Sequence, residues 1–368
     1  MVEGPHAPVA PAADSATQQP QTESPTERQV ERQIEHQTQA QIVALQAATT
    51  IEPGTDESDD GYGTDYDSRA STSISSSVRD YAFEHGRRYH QYRAGQYQFP
   101  NDEPEQERED MKHSMVVHLC GGKLHYAPLK NPQQIIDLGT GTGIWAIDMG
   151  DEYPSAQVLG TDLSPIQPSF LPPNVRFMVD DAESPWFSAP DSLDFVHARN
   201  MCAAIKDWPQ LLSQAYTCLK PGGWVEIQDP HYQARCDDGT MNEDYPVAKF
   251  FNTVKEGLAV FGVDLLGAKK NADLLRDAGF TNVEEKVFKI PIGVWPRNKT
   301  MKLIGLYMRS VIYDGLQAIS LGPFTRGLHW TPEEIEVFLI SVRKALMNQA
   351  THSYVTFHVV YGQKPGES

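Results

Sequence analysis

Three alternating glycines, Gly139, Gly141 and Gly143, run through Asp137-Leu-Gly-Thr-Gly-Thr-Gly-Ile-Trp145, between a short β-branched run and a helix-like stretch. Lacking Cβ atoms, such a loop turns tightly and lets a ligand approach its backbone, while the helix that follows offers free N–H groups. The spacing narrows the ligand. A dinucleotide fingerprint, G-x-G-x-x-G, needs glycine at 144, where Ile144 stands; a phosphate P-loop needs Gly-Lys-Ser/Thr, and the loop holds no lysine. Asp162 ends the next β-branched run, where the carboxylate of a nucleotide-binding sheet accepts both ribose hydroxyls; a surface turn aspartate is the blander reading.

Positioning these groups takes a sheet, and the pattern supplies one. Gln134–Leu138, Gln157–Asp162, Val175–Val179, Leu193–His197 and Trp224–Gln228 read as strands. Trp145–Glu152 and Trp208–Leu219 read as helices between them, the second closed by the stop signal Lys220-Pro-Gly-Gly223. Regular β-α-β alternation predicts a mostly parallel α/β sheet with helices on both faces, binding its ligand at the carboxyl ends of the strands. Further on, Ala272–Ala278 is helical, Val283–Ile290 is a strand, residues 300–347 are largely helical and Tyr354–Tyr361 is the last strand. Ahead of the sheet, the aromatic-rich segment from Phe83 to Tyr97 and a helix over 103–120, with Met111, Met115, Val116 and Leu119 on one side, form an ordered lead-in.

Composition sets the remaining limits. The 368 residues are 40% hydrophobic and carry a formal net charge of -18. Residues 1–79 hold 13 Asp+Glu against 4 Lys+Arg and two aromatics, too little apolar surface to repay ordering entropy, and are expected to be a disordered acidic tail. The expected division is then a lead-in over 80–131, a cofactor-binding core over 132–292, a helical insert or lid over 293–352 and the last strand over 353–363. An excess of carboxylates argues against direct nucleic-acid binding, because phosphate neutralisation supplies most of that affinity, while the tail suits a basic protein partner. Cys120, Cys202, Cys218 and Cys236 form no C-x-x-C pair or zinc spacing, so no metal is expected, and there is no membrane-spanning run. The expected location is the cytoplasm, with the nucleus as alternative.

The D-x-G-x-G-x-G loop resembles motif I of class I S-adenosylmethionine-dependent methyltransferases, and Leu219-Lys-Pro-Gly-Gly-Trp224 and Leu193-Asp-Phe-Val-His-Ala-Arg199 resemble their fifth-strand turn and fourth strand. This implies a Rossmann-like, mostly parallel seven-stranded sheet and S-adenosyl-L-methionine as cofactor. It also implies Asp137 beside the methionine ammonium, Asp181 or its neighbour Asp180 on the adenine amino group, and Ala182 and His197 in the same cleft; Arg199 is either a cleft or a structural residue. A narrower resemblance, carried by Phe83 to Arg93, Ile144-Trp-Ala-Ile147, Asp162-Leu-Ser-Pro-Ile-Gln-Pro168, Arg235-Cys-Asp-Asp238 and Ser320-Leu-Gly-Pro-Phe-Thr-Arg326, is to fungal LaeA-like methyltransferase-domain proteins. It implies secondary metabolism, either as methylation of a small-molecule acceptor on oxygen or nitrogen or as a nuclear regulator with a velvet-type partner.

For acceptor chemistry, Ala198-Arg-Asn-Met-Cys202 lacks the Asn/Asp-Pro-Pro-Tyr/Phe loop of planar-amine methyltransferases. His231, placed just after the fifth strand of the sheet, is the candidate general base, with a substrate-contacting or simply exposed histidine as the other readings. Cys202 reads as a packed thiol. Phe324, Arg326, His329 and Trp330 are candidates for an aromatic lid, with ordinary helix packing as the other use.

Overall fold

The computed structural model describes residue 1, residues 51–53 and residues 81–366. Seven strands form the main sheet: β3 (Gln134–Leu138), β4 (Gln157–Asp162), β5 (Val175–Val179), β6 (Leu193–Arg199), β7 (Leu219–Arg235), β8 (Thr281–Pro291) and β9 (Tyr354–Gln363). Their order is β5-β4-β3-β6-β7-β9-β8. The first five pair in parallel, and β9 inserts antiparallel between β7 and β8. This is the expected mostly parallel, seven-stranded class I methyltransferase sheet. Chain order reverses at β3, which lies between β4 and β6, so the crevice opens beyond the carboxyl ends of these strands.

Alternation along the strands builds a core on each face. Ile136, Leu138, Val196 and Ile227 pack with Leu211, Leu212 and Leu275 of α3 (Trp208–Cys218) and α5 (Asn271–Asp277). Ile135, Val158 and Phe195 pack with Trp145 and Met149 of α2 (Ile144–Glu152). Parallel strands buried on both faces are near-continuous apolar runs, which is why these bounds could be read from sequence. A third cluster joins the far end of the sheet to α1 (Glu103–Leu119), α4 (Pro246–Ala259), α6 (Lys299–Leu321) and α7 (Pro332–Leu346). The helical insert before the last strand is α6, a π-helical turn at Gly322–Gly327, and α7. No helix among the described residues is long and apolar enough to cross a membrane.

The structure departs from expectation in three places. The lead-in begins as a hairpin, β1 (Tyr81–Glu84) against β2 (Arg87–His90), and turns helical only at α1. His85 and Gly86 both adopt positive φ, 51° and 77°, as a tight two-residue hairpin turn demands. Second, β7 runs through Lys220-Pro-Gly-Gly223 and on to Arg235, because β9 pairs with it as far as Arg235–Tyr354. Third, part of the tail is placed: Ile51 is buried, Pro53 bridges Pro296, and Arg297 N donates to Glu52 O at 2.6 Å. The rest of the expected tail lies outside the described residues.

Candidate functional site

All three motif glycines have positive φ, 63° at Gly139, 57° at Gly141 and 84° at Gly143, but for different reasons. A Cβ on Gly143 would sit 2.3 Å from the Phe177 ring, so packing holds that position to glycine, whereas one on Gly139 would meet only the flexible end of the Met201 side chain. A Cβ on Gly141 would meet nothing within 4 Å. Gly141 is therefore the position where the loop leaves room for a ligand. It lies on a cavity walled also by Gly139, Asp162, Asp180, Asp181, Ala182, Met201 and the lead-in residues Gln96, Tyr97 and Asn101.

Beneath the loop, the cavity adjoins a smaller pocket lined by Asp137, Thr140, Trp145, His197 and Arg199. Asp137 is buried and bonded at both oxygens: Thr140 Oγ1 donates to Oδ2 at 2.6 Å, and His197 Nδ1 lies 2.7 Å from Oδ1. Burial lowers the His197 pKa, the aspartate only partly offsetting it, so the ring is neutral and carries its proton on Nδ1. Trp145 stacks on it, centroids 3.6 Å apart. Asp162 accepts from Gly141 N at 2.9 Å and Ser164 N at 2.8 Å, one bond per oxygen. A carboxylate has about four lone-pair sites, so acceptor capacity remains on a wall of the cavity. Burial, against these two bonds, raises its pKa to about 6. Asp181 accepts from Glu183 N at 3.0 Å and has Arg93 Nε at 3.7 Å; Asp180 Oδ1 accepts from Asp181 N at 2.9 Å.

The lead-in closes the cleft. Gln96 bonds Glu183 at 2.7 Å and accepts from Lys206 Nζ at 2.9 Å, and Asn101 donates to Ser164 at 3.1 Å. Glu183 also caps the approach to α3 by accepting from Lys206 N and Asp207 N. From α1, Asp110 accepts from Thr142 Oγ1 at 2.6 Å. Arg199 donates to His113 Nδ1 at 2.7 Å, which leaves the His113 Nε2 proton for Asp148 at 2.9 Å. Along the buried side of α1 stand Glu105, Arg108 and Lys112, ahead of Met115, Val116 and Leu119.

A second cavity adjoins the first and shares Tyr97, Lys112 and Asn200 with it. Its other walls are mainly apolar: Phe99, Tyr232, Phe250, Phe251 and Val254, with Met308, Val311 and Ile312 from α6.

The motif residues Asp137, Gly139, Gly141, Asp162, Asp181, Ala182 and His197 thus gather on two adjoining pockets, and Gly143 supports the loop from behind. His231 does not join them. It falls inside the extended β7, opposite Thr356, and lines neither cavity; its ring meets Leu266 O at 3.1 Å. Burial and Lys269 lower its pKa to about 4. A base role for His231 is withdrawn on this geometry. Cys202 is a packed thiol, pushed well up in pKa by burial. Of the lid candidates, Phe324 and Trp330 pack together in the core, Arg326 reaches Gln98 O at 3.4 Å, and His329 is exposed; none lines a cavity. The reading missed Gln96, Tyr97, Glu109, Lys112 and Asn200. A usable signal was present, since 105, 108, 112, 115 and 119 follow helical spacing and put charge and core on one face.

A family profile described as a methyltransferase domain matches residues 109–285. Methyltransferase pytC of Aspergillus terreus is 43% identical over 296 residues, 80% of this chain and 91% of its own length. Secondary metabolism regulator LAE1 of Cochliobolus heterostrophus is 38% identical over 77% of this chain and 94% of its own. Protein-methionine methyltransferase laeA of Emericella nidulans is 31% identical, over 87% and 88% respectively.

Proposed function

Since this chain belongs to the fungal LaeA-like family of S-adenosylmethionine-dependent methyltransferases, we propose that it methylates a small molecule of secondary metabolism, bound in the second cavity. The observation that carries this reading is the apolar, aromatic-walled cavity meeting the cofactor cleft at Tyr97, Lys112 and Asn200. A concave site with apolar, aromatic walls and a few polar groups suits a small ligand.

S-adenosylmethionine, when bound, supplies a methyl group on a cationic sulfur. The protein's part is to hold and align. Gly141 gives access to the loop, and Asp162 uses its spare acceptor sites for the ribose hydroxyls. Asp181, with Asp180 as alternative, faces the adenine amino group beside Ala182. Glu109 adds negative charge on both pockets, where Asp137 is already engaged by His197 and Thr140. Burial would raise the Glu109 pKa, but Lys112 and Arg108 outweigh it and hold the group below its ordinary value. The lead-in residues exclude water above the reacting atoms.

Asp162 gives this reading a pH signature. Only the ionised carboxylate accepts two hydroxyl protons, and in the free protein it titrates near 6. Affinity for S-adenosylhomocysteine should be flat above that pH and fall up to about tenfold per unit below it. Calorimetric titration from pH 5 to 8 reads this, and Asp162→Asn should bind more weakly and flatten the curve. Equal wild-type affinity at pH 5 and 8 would remove Asp162 from the contact.

The name of LAE1, a secondary metabolism regulator, favours a second reading, that this chain is itself a regulator, for which the sequence resemblance implies a nuclear site and a velvet-type protein partner. Metabolite profiling of a deletion strain separates the two. Biosynthesis requires one product to lose one methyl group; loss of many unrelated products instead establishes regulation.

A further inference from the structure

We propose that the acceptor is an apolar, ring-bearing molecule with an acidic hydroxyl, a phenol or enol, and that Lys112 holds its ionised oxygen where the two cavities meet. This rests on the small-molecule reading above and narrows it.

The polar face of α1 is divided by charge. Glu105 and Glu109 line the cofactor cavity, while Arg108 and Lys112 are the charged side chains lining the second, whose walls include no carboxylate. The α1 acids thus line only the side that receives a cationic cofactor; Arg108 lines only the acceptor side, and Lys112 stands on both, at their junction. A protonated amine in the second cavity would meet two like charges in apolar surroundings; an ionised oxygen meets two opposite ones. Rings suit the walls, where Phe99, Tyr232, Phe250 and Phe251 supply aromatic faces.

Position selects Lys112 over Arg108. An acceptor atom that meets the methyl group must rest near the residues common to both cavities, and among Tyr97, Lys112 and Asn200 only Lys112 is charged. The Arg108 guanidinium is forked onto Glu105 and reaches Glu109 at 3.3 Å. Lys112 Nζ has three donors and commits one to Glu109 at 2.5 Å. Arg108, Glu105 and Glu109 are the charged groups acting on it, and Arg199 acts on Glu109 from the far side. An acceptor that arrives ionised leaves its proton in bulk solvent, so binding requires no histidine base in the cleft.

The test uses 7-hydroxycoumarin, whose absorbance reports its ionisation, with protein saturated in S-adenosylhomocysteine. The bound hydroxyl should have its pKa lowered by about 1 or more relative to the free dye, as for an acid beside a cation. Naphthylmethylammonium, of similar size, should bind at least about tenfold more weakly, a difference of about 1.4 kcal/mol. Lys112→Met should abolish the pKa change and Lys112→Arg should restore most of it, with circular dichroism and thermal melts showing both folded. The proposal is overturned by equal binding of the ammonium, by an unchanged pKa in wild type, by no effect of Lys112→Met, or by no coumarin binding to protein that binds S-adenosylhomocysteine. Failure of wild type to bind S-adenosylhomocysteine would instead bring down the methyltransferase reading itself.

Discussion

Gly141→Glu should weaken S-adenosylhomocysteine binding by at least about 100-fold, roughly 3 kcal/mol, while lowering the melting temperature by only a few degrees. The site has room for a side chain, since a Cβ there meets nothing within 4 Å, so the fold tolerates the change. Its cost to the fold is the left-handed backbone at φ 57°, about 1–2 kcal/mol for a residue with a Cβ. The cost to binding is larger, because the new carboxylate occupies the space left for the ligand, and Gly141 N sits 2.9 Å from Asp162. Gly143→Ala is the counterpart: its Cβ would meet Phe177 at 2.3 Å, so the protein should lose stability before it loses affinity. Calorimetry with thermal melts on both variants reads the contrast. Wild-type affinity in Gly141→Glu would mean the ligand lies elsewhere.

The different roles of Gly139, Gly141 and Gly143 were hidden in the sequence, where all three look alike. Other parts were legible because the residues themselves carry the constraint. β3, β4 and β5 begin and end where their apolar runs do, since a strand buried on both faces has little freedom in composition. Asp162 could be placed from the end of β4, and Asp181, with Asp180 as its alternative, from the family resemblance just after β5. The second cavity could not, because which faces of its helices meet across it is decided by tertiary packing, not by local pattern. The reading assigned nothing to α4, although Pro246 at its start and Val247, Phe250, Phe251, Val254 and Leu258 at helical spacing were there to be read. The misplacement of His231 has a tertiary cause. Lys220-Pro-Gly-Gly223 and Pro230 argue locally for a short strand, but Pro230 pairs opposite Phe357 and the ladder to β9 carries β7 onward. A residue expected on a cleft loop thereby became part of a strand.

Glu226→Ala should cost about 3–5 kcal/mol, which is roughly 5–8 °C in melting temperature, although Glu226 touches neither ligand cavity. The side chain is fully buried on β7, and its Oε2 accepts from Tyr126 N at 2.8 Å and Ala127 N at 2.6 Å while Oε1 accepts from Gln228 at 2.7 Å. Alanine leaves two backbone donors buried without partners. Glu226→Gln keeps one acceptor oxygen and should fall between. The effect reaches the site through the same loop, because Leu124 O accepts from both Gln228 and Trp145 Nε1 at 3.0 Å. Trp145 in turn stacks on His197, which holds Asp137 under the glycine loop. S-adenosylhomocysteine affinity should therefore drop along with stability in Glu226→Ala, whereas Gly141→Glu separates the two. A Glu226→Ala melt within about 1 kcal/mol of wild type would show that the 120–127 loop is held by its other contacts, and that this chain of support does not reach the cofactor.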